Sequence, residues 1–92
     1  MAQEKKQKSA TEIVRYPSST EKSIRMMESE NKLVFVVDKK ATKEEIKRAI
    51  EELYSAKVVS VTTTITKGLK KAYVKFSNET PAIDIATQLG MI

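Results

Sequence analysis

Ninety-two residues with 17 basic and 12 acidic side chains, a net charge of +5 and a sequence pI near 9.5 describe a small basic chain, long enough for one domain with a thin core. It contains neither cysteine nor histidine, which excludes a disulfide framework, thiolate zinc sites and the usual general base of neutral-pH catalysis. No apolar run approaches the roughly 20 residues of a membrane span, and the start, Met1-Ala2-Gln3-Glu4-Lys5-Lys6, has no apolar signal region, so the expectation is a soluble, cytoplasmic protein without direct membrane insertion.

Residues 1 to 11 are polar, carry Lys5, Lys6 and Lys8, and show no periodicity. A flexible basic tail is expected there, followed by a single domain over residues 12 to 92. Glu12-Ile13-Val14-Arg15-Tyr16 is a short β-prone run stopped by Pro17, the pattern of an edge strand. Ser18-Ser19-Thr20 then offers N-cap side chains, with Glu21 three residues after Ser18. This predicts a short helix over residues 20 to 29 that buries Ile24 and Met27 and ends at Asn31. Met26 and Met27 are adjacent, so both cannot face the core, and the exposed one suggests a protein-contact surface.

Lys32-Leu33-Val34-Phe35-Val36-Val37 reads as an interior strand with one well-buried face. After a turn at Lys39-Lys40-Ala41, Thr42 and Glu45 have capping-box spacing. Ile46, Ala49, Ile50, Leu53 and Tyr54 recur on one side of the helix that follows. The pairs Glu44 with Arg48, Lys47 with Glu51 and Arg48 with Glu52 stand four apart on the other side. Residues 58 to 66 form the next strand, with Val59, Val61, Thr63 and Ile65 expected on one face. Gly68 permits a tight turn, and residues 70 to 76 return with Ala72, Val74 and Phe76 facing one way and Lys71, Tyr73 and Lys75 the other. Last, Thr80 is expected to cap a helix with Pro81 at its first position, Ile83, Ile85, Ala86 and Leu89 as its apolar residues, and Gly90 as its stop. The order β-α-β-α-β-β-α predicts an α+β open sandwich, a mainly antiparallel four-stranded sheet with helices packed on it. No internal repeat is visible.

Charge is distributed unevenly. Residues 43 to 56 hold three basic and four acidic side chains, whereas residues 57 to 78 hold five lysines and no acid. A charge run is ordinarily a solvated face, and lysines on edge strands also guard against aggregation. Here nothing acidic balances the lysines on their own hairpin, so the stretch reads as a polyanion contact. Lysine is a point charge, so such contacts position the protein without reading bases. Tyr73, between Lys71 and Lys75 on the outward face, is either a half-buried β-former or a ring stacked on an unpaired base. The run Ala72-Tyr73-Val74-Lys75-Phe76 echoes half of the RNA-recognition-module strand motif, but Leu69, Lys70 and Lys71 stand where a basic residue, a glycine and an aromatic belong. Lys22 and Arg25 on the first helix and Lys39 with Lys40 in a turn are further candidates. No nucleophile–base pair, phosphate-cradling glycine loop or converging carboxylate set is present, so no enzyme activity, catalytic residue, metal ligand or cofactor is expected.

Three blocks then carry a resemblance: Tyr16-Pro17-Ser18-Ser19-Thr20-Glu21-Lys22, Ala41-Thr42-Lys43-Glu44-Glu45-Ile46-Lys47, and residues 68 to 76. In residue type, order and spacing the chain from about Glu12 onward resembles the ribosomal protein L23 family, universal proteins of the large subunit. Lys70-Lys71-Ala72-Tyr73-Val74-Lys75 is the most specific block, and Phe76 replaces the usual leucine. The resemblance implies a sheet anchored to large-subunit ribosomal RNA near the exit of the peptide tunnel and a small helical ribosomal protein as neighbour. It also implies a docking surface for factors such as the signal recognition particle and the translocon. Lys22, Lys67, Lys70, Lys71 and Lys75 match basic positions expected near RNA. Glu21 matches an acidic position associated with chaperone docking in bacterial members. Those members insert a long basic extension between the last two strands; here only Lys67-Gly68-Leu69 joins them, which resembles the archaeal form.

Two other readings compete with a ribosomal role. One is a free-standing module that reads single-stranded RNA through Tyr73. The other is a protein-interaction domain whose basic face meets an acidic partner.

Overall fold

The computed structural model describes residues 10–18 and 20–90. Its elements are α1 (Ala10–Ile13), β1 (Val14–Pro17), α2 (Glu21–Glu30), β2 (Lys32–Val37), α3 (Lys43–Tyr54), β3 (Val58–Thr66), β4 (Leu69–Phe76) and α4 (Ala82–Gln88). The strands hydrogen-bond in the order β1-β2-β4-β3, and every neighbouring pair is antiparallel. The expected α+β sheet with helices packed on it is present, with one helix more than the expected order.

Alternation decides which way each side chain points. Leu33, Phe35 and Val37 on β2 and Ala72, Val74 and Phe76 on β4 share one face and are almost wholly buried. Against them pack Ile46, Ala49 and Ile50 of α3, Ala82, Ile85 and Ala86 of α4, Met27 of α2, and Ala10 and Ile13 of α1. Burying a side chain the size of Phe35 contributes about 1.5–3 kcal/mol. The Tyr54 ring stacks on Phe35, with centroids 6.1 Å apart and planes 22° from parallel. Burial there pushes the Tyr54 phenol above its ordinary value of 10.0.

The expected box at α3 forms in full: the Thr42 hydroxyl accepts from the Glu45 amide at 3.1 Å, and the Glu45 carboxylate accepts from the Thr42 amide at 2.9 Å. The three opposite-charge pairs expected along α3 do not close to ion pairs. Instead the Glu51 carboxylate accepts from the Val58 amide at 3.2 Å, tying α3 to the start of β3.

Several local expectations are overturned. Ala10 and Thr11, placed in a tail, belong to α1, because Ala10 and Ile13 bury their side chains in the core; the rest of that tail, with Lys5, Lys6 and Lys8, lies outside the described residues. Ser18 and Glu21 form no capping box. The Ser18 amide donates to the Val34 carbonyl at 2.8 Å and prolongs the β1 ladder, so Thr20 caps α2 by accepting from the Ser23 amide at 3.2 Å. On β3, Val58 is buried and Val59 is 59% exposed, because a bulge between Val58 and Ser60 inserts a residue and reverses the alternation. The set Val59, Val61, Thr63 and Ile65 therefore does not share one face along its whole length. Pro81 is the N-cap of α4, not its first residue, and makes no side-chain cap. Thr80 accepts from the Lys57 amide instead, at 3.1 Å, and Ile83 is exposed where Ala82 is buried.

Asn31 does what Thr80 was expected to do. It ends α2 in the left-handed conformation, φ 58°. From there its Oδ1 accepts from the Ala82 amide at 2.6 Å, and its Nδ2 donates toward the carbonyls of Phe76, Ser77 and Thr80 at 3.0, 3.2 and 3.3 Å. Its own carbonyl accepts from the Phe76 amide at 3.1 Å. One side chain thus joins the end of α2, the end of β4 and the start of α4.

Candidate nucleic-acid interface

The sheet face turned away from the core presents the odd-numbered residues of β4. Lys71 lies between Val36 and Thr64, Tyr73 between Val34 and Thr62, and Lys75 between Lys32 and Ser60. At about 3.3 Å per residue, Lys71 and Lys75 start roughly 13 Å apart along the strand, with Tyr73 midway. The expected outward set is therefore real. Thr62, Thr64 and Thr66 of β3 lie on this same face as a row of hydroxyls, where alternation with Val61, Thr63 and Ile65 places them.

Val34 and Val36 point outward on β2 yet are each 3% exposed. Val36 sits between Tyr16 of β1 and Lys71 of β4, and Val34 lies across from Tyr73 with Ser23 and Met26 of α2 beside it, so long neighbouring side chains and the helix shield both valines. Where α2 approaches this face, a cavity of about 250 Å³ opens. Lys22 and Met26 reach it from the helix, Lys71 and Tyr73 from β4, Thr66 from β3, and Val34 forms part of its floor. Ser18, Thr20 and Ser23 complete the lining, and no acidic residue takes part.

The helical side of the cavity is held by its own bonds. Ser23 is 3% exposed, and its hydroxyl donates toward the carbonyls of Ser18 and Thr20 at 2.8 and 2.9 Å. Met27 goes into the core and Met26 lines the cavity, which resolves the adjacent-methionine question. Sequence reasoning missed Met26, Val34 and Thr66 as members of the site. The first two carry no local signal of a cavity, and Thr66, though alternation puts it on this face, meets α2 only through the fold.

The remaining candidates do not all join this face. Lys70 points to the core side, where its ammonium donates to the Ala41 carbonyl at 2.6 Å and toward that of Lys39 at 3.4 Å. Lys39 and Lys40 occupy the exposed turn after β2, closed by the Ala41 amide donating to Asp38 at 3.0 Å. Lys67 and Gly68 are the two residues of the β3–β4 turn, both at positive φ (53° and 78°), the geometry of a tight type I′ hairpin. Leu69 already belongs to β4, paired with Thr66, so the connection is one residue shorter than expected. Lys39, Lys40, Lys67 and Lys70 thus gather at one end of the sheet, beside the outward face of Lys71, Tyr73 and Lys75. Arg25 pairs with Glu21 across one turn of α2 at 3.7 Å, a contact between two largely exposed groups that contributes little.

Among the described residues no cluster of three His, Cys, Asp or Glu side chains could hold a metal, and no helix is long and apolar enough to cross a membrane. A cationic, hydroxyl-lined face that also carries Tyr73 and Tyr16 is suited to phosphates and sugars more than to bond-making chemistry.

The chain also has relatives among known proteins. The family model described as ribosomal protein L23 matches residues 12–87. The large ribosomal subunit protein uL23 of Methanococcus vannielii is 47% identical over 83 residues, covering 89% of this chain and 96% of that protein. Its counterpart in Methanococcus aeolicus is 45% identical over the same coverage. In Trypanosoma brucei brucei a protein of the same name is 45% identical over 84 residues, 90% of this chain and 51% of that protein.

Proposed function

Because the chain belongs to the ribosomal protein L23 family, we propose that it holds large-subunit ribosomal RNA near the exit of the peptide tunnel through the outward face of its sheet. Membership makes it a structural, non-enzymatic constituent of the large ribosomal subunit, associated with that subunit's RNA and proteins. It is of the archaeal type, in keeping with its Methanococcus relatives. The finer reading rests on one observation: Lys71, Tyr73 and Lys75 project side by side from the central strand β4, with Lys22 beside them. Lys39, Lys40, Lys67 and Lys70 extend the positive surface around the hairpin end, and Arg25 is the outlying candidate on α2. The domain, including Ala10 and Thr11 of α1, acts as one RNA-binding unit.

Contacts of this kind are ionic, so affinity should fall steeply with salt, by about 0.7–0.9 in the log–log slope for each phosphate neutralised. The test is co-sedimentation of the tagged chain with large subunits. Lys71→Glu combined with Lys75→Glu should remove it from the subunit fraction while leaving it folded. Normal incorporation of that double variant would sink the assignment of this face.

Glu21 lies in the first turn of α2 with its side chain 81% exposed, which supports α2 as part of a surface for factors that meet the nascent chain, among them the signal recognition particle and the translocon. Cross-linking from position 21 on intact ribosomes tests this. A pattern unchanged when either factor is added would count against it.

A further inference from the structure

We infer that the cavity between α2 and β4 is the seat of a single unpaired nucleotide, its base on Tyr73 and Met26 above Val34 and its phosphate between Lys22 and Lys71. The inference rests on the outward sheet face being the RNA interface and says what that interface receives at one point.

Size sets the first limit. About 250 Å³ lies below the roughly 300–1,000 Å³ of pockets that enclose drug-sized ligands, so the space suits one ring system and no stacked run. Composition sets the second. A platform for successive bases needs aromatic rings on neighbouring strands. Here the cross-strand neighbours of Tyr73 are Val34 and Thr62, and Tyr16 of the outward face lies two strands away outside the cavity lining, so the cavity offers one ring and one base can stack there. Met26 and Val34 are the apolar residues that line the cavity with that ring.

The polar groups divide into those already satisfied and those still open. Ser23 donates into its own loop, and Thr20 accepts from the Ser23 amide. By contrast, the Lys22 and Lys71 ammonium groups and the Tyr73 and Thr66 hydroxyls have no hydrogen-bond or ion-pair partner among the described residues. Two cations and two hydroxyls, facing a cavity with no carboxylate in its lining, complement a phosphate, a sugar hydroxyl and a base edge. A neutral apolar side chain from a protein would leave both cations unused.

Both walls are preorganised. Tyr73 and Lys71 sit on a strand paired on both sides, and α2 enters through the Thr20 cap and the buried Ser23 hydroxyl. A flipped nucleotide is then the element that gives way, at the cost of its own unstacking.

The test uses the full chain and full-length large-subunit ribosomal RNA, with per-nucleotide 2′-hydroxyl reactivity and affinity across a salt series. In the wild-type complex one unpaired nucleotide should change reactivity sharply. Tyr73→Leu should return it to its free reactivity and weaken binding by about ten-fold with the salt slope unchanged. Tyr73→Phe, which keeps the ring, should retain the signature, and this separates a lost seat from a misfolded protein. Lys22→Ala should lower the slope by about 0.7 and affect the same nucleotide. If Tyr73→Leu leaves both footprint and affinity intact while Lys71→Glu with Lys75→Glu abolishes binding, the interface stands and the seat does not exist. If protection falls only on paired helices, or a neighbouring protein cross-links into the cavity in its place, the seat is likewise overturned. If the wild-type chain fails to bind this RNA at all, the interface and the seat fall together.

Discussion

The Lys70 ammonium lies 2.6 Å from the carbonyl oxygen of Ala41, a residue 29 positions earlier in the chain. This bond fastens the start of β4 to the turn that leads into α3. Two adjacent lysines in one motif therefore have different duties. Lys71 points to the outward face, and Lys70 is already engaged on the other.

Replacing them one at a time should separate those duties. Lys70→Met is expected to lower stability by about 1 kcal/mol, the scale of a partly solvated charged hydrogen bond, and to leave the RNA salt slope near its wild-type value. Lys71→Ala should do the reverse, lowering the slope by about 0.7–0.9 with little change in urea midpoint. Equal slope losses in the two variants would show that Lys70 leaves Ala41 to reach phosphate.

Asn31 tests the junction of three elements. Asn31→Ala removes the cap on Ala82 and the donors to three carbonyls, and puts a Cβ-bearing residue without a compensating side chain at φ 58°. The expected cost is about 2–3 kcal/mol in urea unfolding. Asn31→Gly relieves the backbone and restores none of the bonds, so it should recover only about 1 kcal/mol of that. A glycine variant as stable as wild type would mean the amide bonds contribute nothing net.

The hairpin turn has room for improvement. Lys67 adopts a left-handed φ of 53°, which asparagine tolerates better than lysine. Lys67→Asn should raise stability by about 0.5 kcal/mol. Gly68→Ala, at φ 78° with open space around the added methyl group, should cost about 1 kcal/mol from backbone strain alone. That is a fall of roughly 4–8 °C in Tm for a domain of this size. Thermal unfolding of the two variants should move in opposite directions.

Tyr54 links stability to alkaline pH. Burial raises its phenol above 10.0 in the folded protein, so the unfolded chain gives up that proton first. The stabilisation is whole below pH 10 and is lost as pH rises through the elevated folded value. Urea unfolding from pH 8 upward should show wild type losing stability relative to Tyr54→Phe as pH rises through that window. Parallel curves would show that the ring ionises as freely in the fold as out of it.

Long periodic signals were legible in the amino-acid order. The Thr42–Glu45 box, the Ile46–Ala49–Ile50 face and the outward set Lys71, Tyr73 and Lys75 could all be read there, because each depends on spacing within one element. What escaped depends on distant partners. Asn31 capping Ala82 and Lys70 bonding Ala41 join residues 51 and 29 positions apart, and Glu51 bonding Val58 crosses from a helix to a strand, so no periodicity within one element shows them. The bulge between Val58 and Ser60 is a different kind of miss: one extra residue turns Val59 outward and Val58 inward, while Val61, Thr63 and Ile65 keep the face alternation gives them, and nothing in Val58-Val59-Ser60 announces it. The cavity follows the same logic, since Met26 and Val34 become neighbours only when α2 comes to rest against the sheet.

The place of Asn31 also bears on the order in which the chain can be completed. Seven residues make a helix too short to persist unaided, and the amide that caps α4 sits 51 positions upstream. That amide is aligned by the backbone of Phe76, the last residue of β4. α4, made after all four strands, therefore finds its cap only after β4 has closed against β2. It behaves as a latch, fastening when the sheet beneath it is complete.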